Sequence, residues 1–290
     1  MQNKLQKFTI AATIFALILG NLVVATNSGD ACGSDWPKCN GKLIPDFSSI
    51  KVLIEYSHRL FTTSLGFIIL INAILVWKKL RISNAKSIWP ILTIVLLLVQ
   101  SLVGGLNVLL GTPVGFTTLD VTVSLFLLVS VIYTHNILEP PLIEKKSTPI
   151  KKSALALLVF IFIETVIGAV FKHFRISKML ISDEGGISYI IYSVHGLLGI
   201  AVLLASSYIL FLSIRNKTFI LLSSSLVVFL LLTGVYGFLA KVSSLAPAIA
   251  SLHMIFTILS ISAASFLAAE RKGFGKTIIK SNQEKNNKIY

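Results

Sequence analysis

Glu55 and His58 stand three residues apart in Ile54-Glu55-Tyr56-Ser57-His58-Arg59, at the head of an apolar run that continues to Trp77. On a helix this spacing puts a carboxylate and an imidazole on one face. Ionisable groups are costly in hydrocarbon, so inside a membrane helix they face other helices and are functional candidates by default. Three more such groups stand at comparable places. Ile191-Tyr192-Ser193-Val194-His195 echoes the first run, and Ala250-Ser251-Leu252-His253 has a counterpart in Thr117-Thr118-Leu119-Asp120. From His58 to Asp120 is 62 residues, and from His195 to His253 is 58.

Two imidazoles from two helices of one bundle are what a six-coordinate haem iron requires. His195 and His253 offer such a pair. The competing reading is two structural histidines bonded to neighbouring helices. In the first half Asp120 takes the place of the partner histidine to His58. Carboxylate is a poor haem ligand beside imidazole, so that site is expected to be weaker, five-coordinate or differently ligated. Glu55 suits a proton relay, a passing charge or a hydrogen bond to the histidine. It equally suits a helix N-terminus, where the dipole favours an acid.

The elements that must position these groups are membrane helices. Of 290 residues, 54% are hydrophobic and 13% charged, about half the charge of a soluble domain. Mean hydropathy is +0.84. Crossing hydrocarbon takes about 20 apolar residues, and eight such runs can be marked, near 8–26, 52–76, 88–110, 116–138, 153–171, 187–212, 218–238 and 246–269. The first follows Lys4 and Lys7 and lacks a cleavage-site pattern, so it is expected to be retained as a helix rather than removed as a signal peptide. The expected fold is all-α: a polytopic membrane protein of two pseudo-symmetric four-helix bundles, related as parallel repeats. Residues 1–138 form the first bundle, 139–152 a cytoplasmic linker, 153–270 the second bundle and 271–290 a polar tail.

The net charge of +14 does not point to nucleic acid, because the basic residues cluster between apolar runs. Eighteen lie in one set of loops and the termini, beginning with Lys4, Lys7, Lys78 and Lys79, against seven in the other set. The excess places both termini in the cytoplasm and the four polar sites toward the outer face of the cell membrane.

Cys32 and Cys39 share the polar loop 27–51, expected outside, where thiols oxidise. A disulfide across six intervening residues is easily closed and would stiffen a lid over the first bundle. The spacing excludes a CxxC metal or redox motif. Other groups are weaker candidates. His135 is expected at a helix interface. His173, with Lys172 and Arg175, suits either haem propionates or a solvated loop. Glu164 should face the bundle, either mechanistically or as a buried acid. Gly104, Gly105 and Gly111 should admit close helix or macrocycle approach.

At these residues the chain resembles the haem A synthase family. The resemblance rests on Thr26-Asn27-Ser28-Gly29, the loop from Cys32 to Lys42, Glu55-Tyr56-Ser57-His58-Arg59, Gln100-Ser101-Leu102-Val103-Gly104-Gly105-Leu106, His195 and His253. It runs through all eight spans, more strongly in the first half. It implies a haem b on His195 and His253, and entry of substrate haem O into the first bundle at His58. It also implies a catalytic link for Glu55, and a cysteine loop that supports the reaction or haem transfer. The implied reaction oxidises the C8 methyl of haem O to a formyl group, by successive hydroxylations and loss of water, for terminal oxidases. Haem O synthase would hand over the substrate and an unidentified donor the electrons; a homo-oligomer is compatible. Two departures stand out: Asp120 replaces a second histidine, and the loop 174–186 lacks the cysteine pair of some members. The first leaves His58 as the substrate iron's protein ligand, with Asp120 orienting it or relaying protons. The alternatives are a non-catalytic haem-binding or haem-delivery protein of the same fold, a transporter, and a dihaem quinol-linked cytochrome.

Overall fold

In lipid a backbone must satisfy its own hydrogen bonds, which leaves long helices as the economical solution for an apolar chain. The computed structural model describes residues 2–269, apart from Pro37, Ser48, Val114, 140–143, 174–185 and 243–245. Among these residues there are eight helices and no strand: α1 (Gln2–Ala25), α2 (Ile50–Ile82), α3 (Trp89–Leu109), α4 (Phe116–Asn136), α5 (Glu144–His173), α6 (Ile187–Asn216), α7 (Ile220–Val242) and α8 (Ala246–Ala268). All eight are long and apolar enough to cross a membrane.

Local signals fix the ends. Ser49 caps α2 by accepting the Lys51 amide, and Lys79 and Arg81 occupy its last turn, where the dipole favours cations. Pro90 stands in the first turn of α3, a position that needs no amide donor. Gly115 precedes α4 with φ +89°, a left-handed turn that suits glycine. One boundary differs from expectation. The 139–152 connection is not wholly a linker, since α5 begins at Glu144 with Pro149 near its start. Glu144, Lys145 and Lys146 are good helix formers, and a proline that close to the N-terminus interrupts little.

Neighbouring helices pack in chain order, α1 on α2, α2 on α3 and α3 on α4, and α4 closes on α1. The order repeats from α5 to α8, with α8 closing on α5. Between the two sets, α4 packs on α8, α1 on α8 and α4 on α5. The core follows this seam: Leu125, Leu128 and Ile132 of α4, Ile150, Leu157 and Ile161 of α5, and Ile258, Ile261 and Leu267 of α8 are all sealed from solvent. Small residues of α8, among them Ser260, Ala264 and Ser265, are buried there too and let backbones approach. Large apolar side chains such as Phe67, Ile71, Leu197, Leu204 and Phe238 cover the outside, as lipid-facing surfaces require.

Side-chain hydrogen bonds from Asn21 and Thr118 join the halves. Asn21 of α1 donates to the Ser251 carbonyl at 3.0 Å and its hydroxyl at 2.6 Å. Thr118 of α4 donates to the Ala169 carbonyl of α5 at 3.4 Å. Intramembrane polar contacts of this kind contribute about 0.6 kcal/mol on average. Asn21→Leu should therefore lower stability in detergent by about 1 kcal/mol. A double-mutant cycle with Ser251→Ala should show about 0.6 kcal/mol of coupling, and strict additivity would refute the joint.

Candidate functional site

A ring or carboxylate between close helices needs space on the facing helix, and four glycines provide it. A Cβ placed on Gly20 of α1 would stand 3.1 Å from His58 Nε2. On Gly104 of α3 it would stand 3.6 Å from Asp120 Oδ1. On Gly168 of α5 it would meet His195 Cε1 at 2.8 Å, and on Gly237 of α7 it would meet His253 Nδ1 at 2.9 Å. Real Cβ atoms essentially never come nearer than 3.0 Å, so alanine at Gly168 or Gly237 must displace its histidine. Each polar group thus rests on a glycine of the preceding helix in its own half.

The register is shared. Sixteen residues separate Gly104 from Asp120, and sixteen separate Gly237 from His253. Four residues before each glycine stands the partner of the same group. Gln100 Nε2 donates to Asp120 Oδ1 at 2.5 Å, and His253 Nδ1 lies 2.8 Å from the Thr233 carbonyl. Gly237 rather than Gly234 is thus the counterpart of Gly104, because a Cβ on Gly234 would meet nothing within 4 Å. Of the three glycines expected to admit close approach, only Gly104 has such a neighbour. Gly105 faces open space, and Gly111 lies in the turn after α3 with φ +67°.

In the second half the structure brings His195 and His253 together. Their ring centroids are 6.3 Å apart and their planes 69° apart. The Thr233 carbonyl can only accept, so His253 Nδ1 carries the proton and Nε2 is left with its lone pair. His195 Nδ1 lies 3.0 Å from Glu164 Oε1 of α5. Glu164 faces the bundle as expected; its nearness to His195 was not foreseen.

In the first half Glu55 is bonded to the cysteine loop and to Arg59. It is 3% exposed and accepts the Cys32 amide at Oε2 over 2.7 Å. Its Oε1 pairs with the Arg59 guanidinium one turn later. Arg59 also donates to the carbonyls of Gly33 at 2.8 Å and Lys38 at 3.2 Å. An opposite charge four residues away and a loop amide give both carboxylate oxygens charge-assisted partners. The Glu55–Arg59 spacing was the sequence signal for this latch. Cys32 and Cys39 form the expected disulfide and are fully buried. The loop is held down further by Tyr56, whose hydroxyl donates to the Leu43 carbonyl at 2.7 Å, and by Thr112, which donates to Asp30 at 3.1 Å.

His135 is an interface residue, as expected: it is buried, with Nδ1 3.0 Å from Gln6 Oε1 of α1 and its ring edge-on to Phe266 of α8. Lys172 is exposed near the end of α5. Arg175, the tail 271–290 and the side chain of His173 lie outside the described residues.

The family model for cytochrome oxidase assembly proteins matches residues 4–183, from α1 to just past α5. That is narrower than a resemblance through all eight spans, and His195 and His253 lie beyond it. Among curated relatives, heme A synthase of Halalkalibacterium halodurans is 31% identical over 172 residues, 57% of this chain and 57% of the relative. Heme A synthase of Exiguobacterium sibiricum is 32% identical over 182 residues, 60% of this chain and 61% of the relative. That of Lysinibacillus sphaericus is 40% identical over 110 residues, 37% and 36% of the two chains. The chain thus spans less than two thirds of the length of each.

Stripping one partner from a buried ion pair costs about 3–5 kcal/mol. Arg59→Gln should therefore loosen the cysteine loop. Alkylation of Cys32 and Cys39 after mild phosphine treatment, followed by mass spectrometry, should run several-fold faster than in the wild type, with Arg59→Lys between. Equal rates in all three would show that the latch does not hold the loop.

Proposed function

Since the chain belongs to the family of cytochrome oxidase assembly proteins that includes the haem A synthases, we propose that it oxidises the C8 methyl of haem O to the formyl group of haem A. The observation that carries the reading is the pair His195 and His253. Both lie against glycine, His253 Nδ1 is bonded to the Thr233 carbonyl, His195 Nδ1 lies 3.0 Å from Glu164 Oε1, and their centroids are 6.3 Å apart. A metal–imidazole bond is about 2 Å. A five-membered ring with bonds of ~1.3 Å has a radius of about 1.1 Å. Two imidazoles on one metal therefore place their centroids about 6 Å apart, and the pair fits a bis-histidine iron. Bound there, haem b supplies one-electron chemistry tuned by its axial ligands.

The first half takes the substrate. His58 on its Gly20 notch ligates the substrate iron, and Asp120, held by Gln100, orients the macrocycle or relays protons. Glu55 is the catalytic carboxylate, fixed by Arg59 and tied to the disulfide loop through the Cys32 amide. The excess of basic residues in one set of loops supports a topology with both termini in the cytoplasm and both sites toward the outer face of the cell membrane. Haem O reaches the first bundle from the enzyme that makes it, and an external donor and oxidant complete the reaction.

Haem extracted from protein purified out of cells supplied with haem O tests this, by pyridine haemochrome and mass analysis. Haem b and haem A are expected. His195→Ala and His253→Ala should lose haem b. His58→Ala and Glu55→Gln should keep it and cut haem A at least about 100-fold. Haem b without haem A in the wild type would mark a non-catalytic haem protein, and a colourless preparation a transporter. Two low-spin six-coordinate haems on adding haem O would overturn sole ligation by His58. So would loss of first-bundle haem in Asp120→Ala but not in His58→Ala.

A further inference from the structure

Glu164 is the acidic side chain inside α5 that the proposed function leaves without a task. Glu164 and Gly168 are four residues apart on α5, and His195 and Gly199 are four apart on α6, so each pair shares one helix face. The two faces interlock. His195 packs on Gly168, and a Cβ on Gly199 would stand 3.8 Å from Glu164 Oε1. The outcome is a carboxylate oxygen 3.0 Å from His195 Nδ1. That nitrogen is enclosed and makes no aligned hydrogen bond among the described residues; Glu164 Oε1 is the carboxylate oxygen within hydrogen-bonding distance of it.

The first half lacks this arrangement. Taking Gly20 as the counterpart of Gly168 puts Ala16 where Glu164 stands, and taking His58 as the counterpart of His195 puts Thr62 where Gly199 stands. The carboxylate and the space that admits it are both special to the second half. They do not follow from the shared frame.

We propose that Glu164 is a positioning residue for His195, accepting the Nδ1 proton so that Nε2 faces the iron and the ring is held in one orientation. The inference rests on the reading of His195 and His253 as haem ligands. A carboxylate acceptor on the far nitrogen raises the basicity of a ligating imidazole. A more basic ligand favours the oxidised iron, so Glu164 lowers the reduction potential of the haem in the second bundle. The neutral ring of His253, held by a backbone carbonyl, gives less of this push.

The test uses purified full-length protein carrying its haem, in detergent. Spectroelectrochemistry gives the potential of the second-bundle haem, and electron paramagnetic resonance gives the g-values that report ring orientation. Glu164→Gln should keep a six-coordinate low-spin haem, shift its potential upward and alter the g-values. Glu164→Asp, which keeps the charge but withdraws it by one methylene, should shift the potential upward by less. Glu164→Asp carries the test by itself if Glu164→Gln does not accumulate. An unchanged potential and unchanged g-values overturn the role of Glu164 while the haem reading stands. A wild-type spectrum without a bis-histidine low-spin haem overturns the haem reading itself.

Discussion

A polar side chain held between membrane helices needs two things at once: room among closely packed backbones, and a partner for each buried nitrogen or oxygen. The four glycines facing His58, Asp120, His195 and His253 meet the first need. At Gly168 and Gly237 glycine alone does so, because a Cβ there would come within 3.0 Å of the ring, while at Gly20 it would be tight and at Gly104 an ordinary contact. Partners on the neighbouring helix meet the second, as with Gln100 for Asp120 and Thr233 for His253. The cost of an unpaired polar group in hydrocarbon is several kcal/mol, larger than the penalty of about 1 kcal/mol for glycine within a helix. That difference accounts for a glycine on α5 and on α7 at the level where the neighbouring helix carries a histidine.

The first half adds a second device. Its cysteine loop folds back over the head of α2 and brings backbone groups that need partners. Glu55 and Arg59 serve from opposite sides: the carboxylate takes the Cys32 amide, and the guanidinium takes two loop carbonyls as well as the carboxylate. Neither charge is buried alone. Loop, disulfide and helix head therefore form one unit, and a change in any of them reaches Glu55.

Much of this was legible in the residues, for a physical reason. Hydrocarbon thickness sets a minimum apolar length, so eight runs announced eight helices. Charges and imidazoles are so rare in such runs that Glu55, His58, Asp120, His195 and His253 stood out. What was not legible depends on rotation of one helix against another. Gly234 and Gly237 lie three residues apart on α7, nearly on one face, and only the packed structure shows which meets His253. Glu164 could be read as facing inward, but not as meeting His195. The helical start of α5 was hidden by charges and a proline that resemble a linker.

The two halves repeat one order of helix packing and differ in the side chains at matching places. Asp120 stands in the register of His253, Ala16 in that of Glu164, and the cysteine loop covers the first half. Under the proposed function these differences all act in one direction. A resident cofactor gains from two strong ligands and a carboxylate that holds one of them, because each contact lengthens its stay. A substrate that must enter, react and leave gains from one strong ligand, a weaker opposite group and a cover fixed to the reacting end of the site. Since the helices pack in the same order in both halves, under the proposed function the difference between transient and permanent occupancy rests on these side chains and on the loop.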